Sequence, residues 1–312
     1  MKQRYSDLLI KLLFGAVFLL ALPASGQHSF DIFTLSGLFT VPGAYEEPLS
    51  GEGHESGLTA NLKVPVVLKP GSIWYNDFSY SLHRVTTDLN PEPPGMLTSL
   101  KVQGMILQTG LVKKLGEDKG LQLLFVPRFM TDTHGSDSKS WQFGGIGLYE
   151  KEMNDKLLMR FGALYNSELF GPLAMPLVYL DWKAGGRWTV TGLLPIQLKV
   201  NYHVSERFTT GFSHFGLVQT FRVNQAGFEG DYIERTAIDL TLFGRWKVAG
   251  GLHLETRFGY SVDRKYVQYD EDQQVDFRLS IIGFGDDRVQ KNVTFAPGPI
   301  AQVRLVYAIA TE

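Results

Sequence analysis

An all-β fold, a transmembrane up-and-down antiparallel β-barrel of about 14 strands, with about 12 as the alternative count, is what this sequence predicts, and three features predict it. Segments of about ten residues alternate apolar with polar side chains, many apolar faces end in Trp or Tyr, and short connections alternate with long ones. Composition agrees with this. The 312 residues carry 12% aromatics and 33 Gly, and charged residues make up 20%. Mean hydropathy near zero excludes a polytopic helical membrane protein, whose every span needs about 20 mostly apolar residues. A barrel escapes that limit because only every second strand residue must face lipid. Lys plus Arg number 30 against 32 for Asp plus Glu, so no overall field points to nucleic acid. With no cysteine, disulfides, thiolate metal sites and Cys nucleophiles are excluded.

The start of the chain reads as a cleaved signal peptide, residues 1–26. Lys2, Arg4 and Lys11 precede an apolar run over 12–22, and small residues Ala24 and Gly26 lie just before Gln27. That run is too short to span a bilayer. Export follows, and residues 27–312 form one barrel domain in the cell outer membrane.

Residues 58–66 open the alternation with Leu58, Ala60, Leu62, Val64 and Val66 against Thr59, Asn61 and Lys63. The stretch 188–194 reads as a strand, and Pro195 then marks a tight outer turn. In 196–204, Ile196, Leu198, Val200, Tyr202 and Val204 oppose Gln197, Lys199, Asn201 and His203. Ile238, Leu240, Leu242 and Trp246 oppose Arg235, Asp239, Thr241 and Arg245. Leu252, Leu254, Phe258, Tyr260 and Val262 oppose His253, Glu255, Arg257 and Ser261. The final strand sets Val303, Leu305, Tyr307 and Ile309 against Gln302 and Arg304. Aromatic girdles are expected from Trp74, Trp141, Tyr149, Tyr165, Trp182, Trp188, Tyr202, Trp246 and Tyr307.

Tight turns are expected at 69–72, 116–120, 154–155, 184–187, 205–207 and 249–251. Long connections are expected at 43–56, 86–96, 132–140, 167–176 and 224–231. Parity places 270–298 in a long outer loop that extends the wall or folds over the mouth.

The polar faces predict a lumen lined by Lys63, Asp77, Lys101, Arg128, Arg160, Asp181, Lys183, Lys199, His203, Arg235, Asp239, Arg245, Glu255, Arg257 and Arg304. Basic residues prevail, which suits a channel wall with mild anion preference. A salt-bridged interior that stiffens a narrow barrel explains the same pattern.

Enzymatic patterns are weak. His203 and Ser205 share a face but Ser205 falls in a turn, and 211–215 lacks the strand–turn–helix setting of a nucleophile elbow. The acids Glu46, Glu47, Glu52 and Glu55, and likewise 270–272 with Asp286 and Asp287, read as solvated loop carboxylates. No metal or cofactor is expected. Gly144, Gly145 and Gly147 lie in a strand, where they make room for neighbours.

At Trp141 to Gly147, Phe161 to Asn166, Glu206 to Gly216, Gly230 to Arg235 and Phe284 to Arg288, the chain resembles the uncharacterised outer-membrane β-barrel proteins common in the Bacteroidetes. The resemblance implies the barrel and its membrane, without an assigned activity. Many barrels end in an aromatic, whereas this chain runs past Tyr307 to Ala310, Thr311 and Glu312. The expected function is a non-enzymatic, porin-like or structural barrel, with a passive channel for small solutes among its roles. Outer-membrane lipid, lipopolysaccharide and the barrel-assembly machinery are the expected partners. A barrel enzyme acting on lipid or lipopolysaccharide and a soluble lipocalin-like binder are the alternatives.

Overall fold

Period-two alternation gives a strand whose two faces meet different surroundings, and lipid forbids an open sheet edge. Both conditions are met in the computed structural model, which describes residues 28–89 and 92–311. Residues 1–26, read above as a signal peptide, lie outside the described residues. Fourteen strands form the wall. They are β1 (His28–Thr40), β2 (Glu52–Lys63), β3 (Ser72–Thr87), β4 (Leu100–Lys114), β5 (Lys119–Asp132), β6 (Trp141–Asn154) and β7 (Leu157–Glu168). Then follow β8 (Gly171–Gly185), β9 (Trp188–Leu194), β10 (Gln197–His203), β11 (Phe208–Arg222), β12 (Tyr232–Ala249), β13 (Leu252–Tyr269) and β14 (Pro299–Thr311). Each pairs antiparallel with its sequence neighbour, and β14 pairs with β1, so the ring of strands closes on itself.

Short turns and both described termini sit at one end, the terminal rim. The long connections sit at the other, the loop rim. One expected long connection is absent. Residues 167–176 instead hold the two-residue turn Leu169-Phe170, because β7 and β8 pair continuously up to Glu168 opposite Gly171. Near the other end of the chain, residues 270–298 form a strap over the loop rim. It contains a small hairpin, Phe277–Leu279 with Ile282–Phe284, whose first strand runs parallel to β8 at Leu173 and Ala174.

The outward face is apolar. All five tryptophans lie on it, 42–52% exposed. Trp141 and Tyr165 mark the loop side, while Trp74, Tyr149, Trp182, Trp188 and Trp246 mark the terminal side. Between them the wall presents residues such as Leu242, Phe258 and Leu123. A soluble barrel would turn such side chains inward, so this wall is built for lipid.

Inside, the loop-side half is filled. Tyr45, Val102, Met130, Phe221, Ile233, Tyr266 and Phe295 pack into one buried cluster across the mouth. The upper parts of β11–β13 lean inward to make it: Arg222 of β11 pairs with Thr131 of β5 across the barrel. A bulge at Val262 helps, since the register skips from Ser261 to Asp263 and turns Arg264, Tyr266 and Gln268 inward. A second buried cluster, Leu124, Val126, Ile146, Leu148, Met175 and Leu177, coats the inner face of β5, β6 and β8.

Candidate functional site: the charged lumen

Two carboxylates organise the interior charges. Glu255, on β13 near the terminal rim, accepts from Lys199 Nζ at 2.6 Å, Arg257 Nη2 at 2.7 Å and Arg304 Nη1 at 2.5 Å. Arg245 stands 3.9 Å away and is held by Asp31 of β1 through two bonds of 2.7 and 3.0 Å. These residues come from β1, β10, β12, β13 and β14, and the period-two pattern aims each of them inward. Four cations thus meet two anions, a local excess of two positive charges. Lys199 also lies 4.2 Å from the centre of the Phe243 ring.

Farther toward the loop rim, Glu55 binds His83 Nδ1 at 2.9 Å, Arg235 Nη2 at 2.9 Å and, very closely, Arg264 Nη1. Arg264 reaches on to Asp239 at 2.5 Å, and Arg235 donates to the Tyr266 hydroxyl at 2.8 Å. Two Arg face two carboxylates, so the cage is neutral with His83 uncharged. Exposure separates the two groups. Cage side chains are 0–6% exposed, whereas those of Asp31, Lys199 and Arg304 are 28, 20 and 19% exposed. The cage is sealed; the Glu255 group opens onto space at the terminal side.

The other expected lumen residues fall into smaller sets. Arg128 pairs with Glu168 at 2.5 Å, and Arg160 with Glu150 at 2.7 Å, its guanidinium 4.5 Å from the Tyr179 ring. Asp77 is buried and accepts from Asn61 and from the Tyr75 hydroxyl at 3.2 Å. Lys63 and Asp181 are half-buried on the inward faces of β2 and β8. His203 lies between the hydroxyls of Thr189 and Thr209, 3.1 and 3.2 Å away. Two residues depart from expectation. Lys101 sits opposite Arg84 in the β3–β4 register, one step off the inward residues His83 and Val102, and so faces outward. Lys183 is exposed at the terminal rim, where the β8–β9 register shifts after Trp182.

Glu55 corrects another expectation. Rather than a solvated loop acid, it is fully buried in β2, because the strand begins at Glu52 and its odd positions point inward. Glu46, Glu47 and Glu52 are exposed. In the strap, Glu271 pairs with Lys139 and Arg222, Asp286 with Arg288, and Asp270 with Lys291. Asp31, His83, Glu168 and Arg264 escaped the sequence reading. A His and single charges of either sign in strands carry no signal of their partners until the barrel closes.

Ser205 Oγ accepts from the Arg207 and Phe208 amides within its turn. Ser213 points inward to Arg257, while His214 on the next position points outward to the Pro195 carbonyl. Adjacent strand residues cannot form a base and nucleophile pair from opposite faces. Among the described residues, no group of three or more His, Asp or Glu is placed to hold a metal ion. A Cβ on Gly144 would meet the Tyr165 carbonyl at 2.5 Å, so this glycine serves strand contact.

Comparison with known proteins adds a family and several likenesses. The profile of a domain of unknown function, DUF6268, matches residues 121–278. No curated protein matches the sequence. Among solved structures, the translocator domain of the autotransporter NalP from Neisseria meningitidis aligns over 98% of this chain and 96% of its own, with 12% identity and a TM-score of 0.36. An outer membrane channel from Pseudomonas putida F1 aligns over 93 and 97%, with 12% identity and a TM-score of 0.42. The monoaromatic hydrocarbon channel TodX, as a deletion mutant, aligns over 94 and 92%, with 9% identity and a TM-score of 0.41.

Proposed function

The chain belongs to the DUF6268 family, a domain of unknown function, and from that premise we propose that it is a non-enzymatic outer-membrane barrel acting as a passive, normally closed conduit for small anions. One observation carries the reading: Lys199, Arg245, Arg257 and Arg304 outnumber Glu255 and Asp31 in the half of the lumen that opens at the terminal rim. Fixed charge of one sign in a low-dielectric cleft concentrates counter-ions. On this reading the terminal rim, with its short turns, faces the periplasm. Lipid and lipopolysaccharide surround the apolar wall, and the assembly machinery inserts it.

Closure comes from the Glu55 cage and the apolar cluster above it. A conducting state requires both to part.

Single-channel recording of refolded residues 27–312 in a planar bilayer tests this. Brief openings selective for chloride over potassium are expected. Glu55→Gln frees Arg235 and Arg264 and should raise the open fraction severalfold. Lys199→Glu with Arg304→Glu should move the reversal potential toward that of the cation. A heat-modifiable barrel that stays silent in every variant would leave a structural role, which the filled loop-side half favours.

A further inference from the structure

Strands β9 and β10 span only seven residues each, between β8 and β11 of 15 residues each. Their length matters against the bilayer. A barrel strand gains about 2.5 Å of height per residue, from a rise of about 3.3 Å and a tilt of about 40°. From the girdle residue Trp188 to Leu194 the wall therefore climbs about 15 Å, well short of the apolar band's roughly 25 Å. Above the hairpin tip at Pro195, a seam separates β8 from β11. The β8–β9 ladder stops at Val178 opposite Leu194, and the β10–β11 ladder at Gln197 opposite Phe215.

Unpaired backbone in lipid is costly, so the seam needs a cover. The strap hairpin supplies it. It meets β8 at Leu173 and Ala174, with backbone bonds from Val275 N to Phe170 O and Ser280 N to Ala174 O, both 2.8 Å. It is anchored to the barrel by Val275, which packs with Phe170, Leu173 and Tyr232 in a buried apolar cluster, and by Glu234, which binds Arg278 at 2.7 Å and Arg288 at 2.8 Å. On β11 the edge is met by a side chain: Thr220 N donates to Glu168 at 3.0 Å. The cover carries exposed apolar residues, Ile281 at 78% and Ile282 and Phe284 beside it.

Behind the seam, Leu193 and Ile196 at the hairpin tip pack on the apolar inner cluster containing Met175 and Leu177. One wall of the lumen is thus apolar and leads to the seam, while strands β10–β14 carry the cationic group.

We propose that this seam is a lateral port between the lumen and the outer leaflet, with the Phe277–Phe284 hairpin as its door, and that it passes amphiphiles with an anionic head and an apolar tail. This rests on the cationic lumen proposed above and names a larger ligand class and a second route.

The absence of cysteine makes a clean lock available. Ala174→Cys with Leu279→Cys places two thiols at register partners on adjacent strands whose backbones run about 4.8 Å apart. Preformed proteoliposomes receive an NBD-labelled alkyl sulfonate from outside, and the fraction that serum albumin can no longer extract is followed in time. Chloride conductance is recorded on the same protein. The reduced pair should protect the sulfonate severalfold faster than protein-free vesicles, as should Ala174→Cys alone. Oxidation should return the pair to the protein-free rate with chloride conductance unchanged. Equal rates before and after oxidation would overturn the port. So would a chloride-conducting wild type that moves the sulfonate no faster than empty vesicles, and the anion reading would then stand alone.

Discussion

Glu255 and Glu55 do opposite work with the same chemistry. Glu255 tempers an excess of cations that remains open to the terminal side, whereas Glu55 completes a neutral knot with nothing left over. Deleting one partner of a buried ionic group leaves the others uncompensated, at a cost of about 3–5 kcal/mol. Glu255→Ala should therefore lower the unfolding free energy by about 3 kcal/mol, read from urea titration of the heat-modifiable form. Glu255→Met combined with Arg304→Met should lose less, because one of the stranded cations is gone. An equal loss in both would mean that Arg304 contributes nothing to the group. Which residues point inward was legible where strands are regular: Lys199, Arg245, Glu255 and Arg304 follow from period two alone. Glu55 was not legible, because it follows three exposed acids and its partners lie 28, 180 and 209 residues away. Lys101 was misread for a related reason, since a strand's first residues take their face from pairing rather than from pattern.

At the scale of elements, the strap covers the loop rim and is held by the buried pairs of Glu234 and by a more exposed group around Glu271. Glu271 receives hydrogen bonds from Lys139 and Arg222, and these hold its carboxyl below the ordinary glutamate value. A carboxylate so lowered contributes fully above the ordinary range, about 4.3, and loses its contribution as pH falls through its own lower value. The strap should thus loosen in acid below about pH 4 and stay closed at neutral pH. Hydrogen exchange of residues 270–298 reads this directly. Glu271→Gln should give faster strap exchange already at pH 7, with β12 and β13 unaffected. Its exposure and screening by salt keep the effect modest, and added salt should shrink it. Unchanged strap exchange in the variant would assign closure to Glu234 and its two arginines. Parity in the sequence placed the strap outside the membrane. Its hairpin and the early turn at Leu169-Phe170 were hidden because parallel pairing with β8 joins residues about 100 positions apart.

For the whole molecule, the decisive physical claim is that the outward apolar band lies in lipid and the filled interior does not. A charge on that band should cost most at the bilayer midplane and little at its edges. Leu242 points outward from β12 and is 69% exposed. It stands about 10 Å above the girdle residue Trp246, near mid-depth. Val248 shares its face two residues beyond that girdle, toward the terminal rim. Leu242→Arg should cost about 2–4 kcal/mol and Val248→Arg about 0–1 kcal/mol, measured by reversible unfolding from lipid vesicles. Neither substitution touches the lumen, so the packing of Phe243 and Thr241 behind them should hold. A soluble barrel would show no ranking, because an arginine on a hydrated outer face is nearly neutral at both positions. Equal, small costs would therefore remove the membrane from the account, and the cationic lumen and its lateral seam would lose their setting with it.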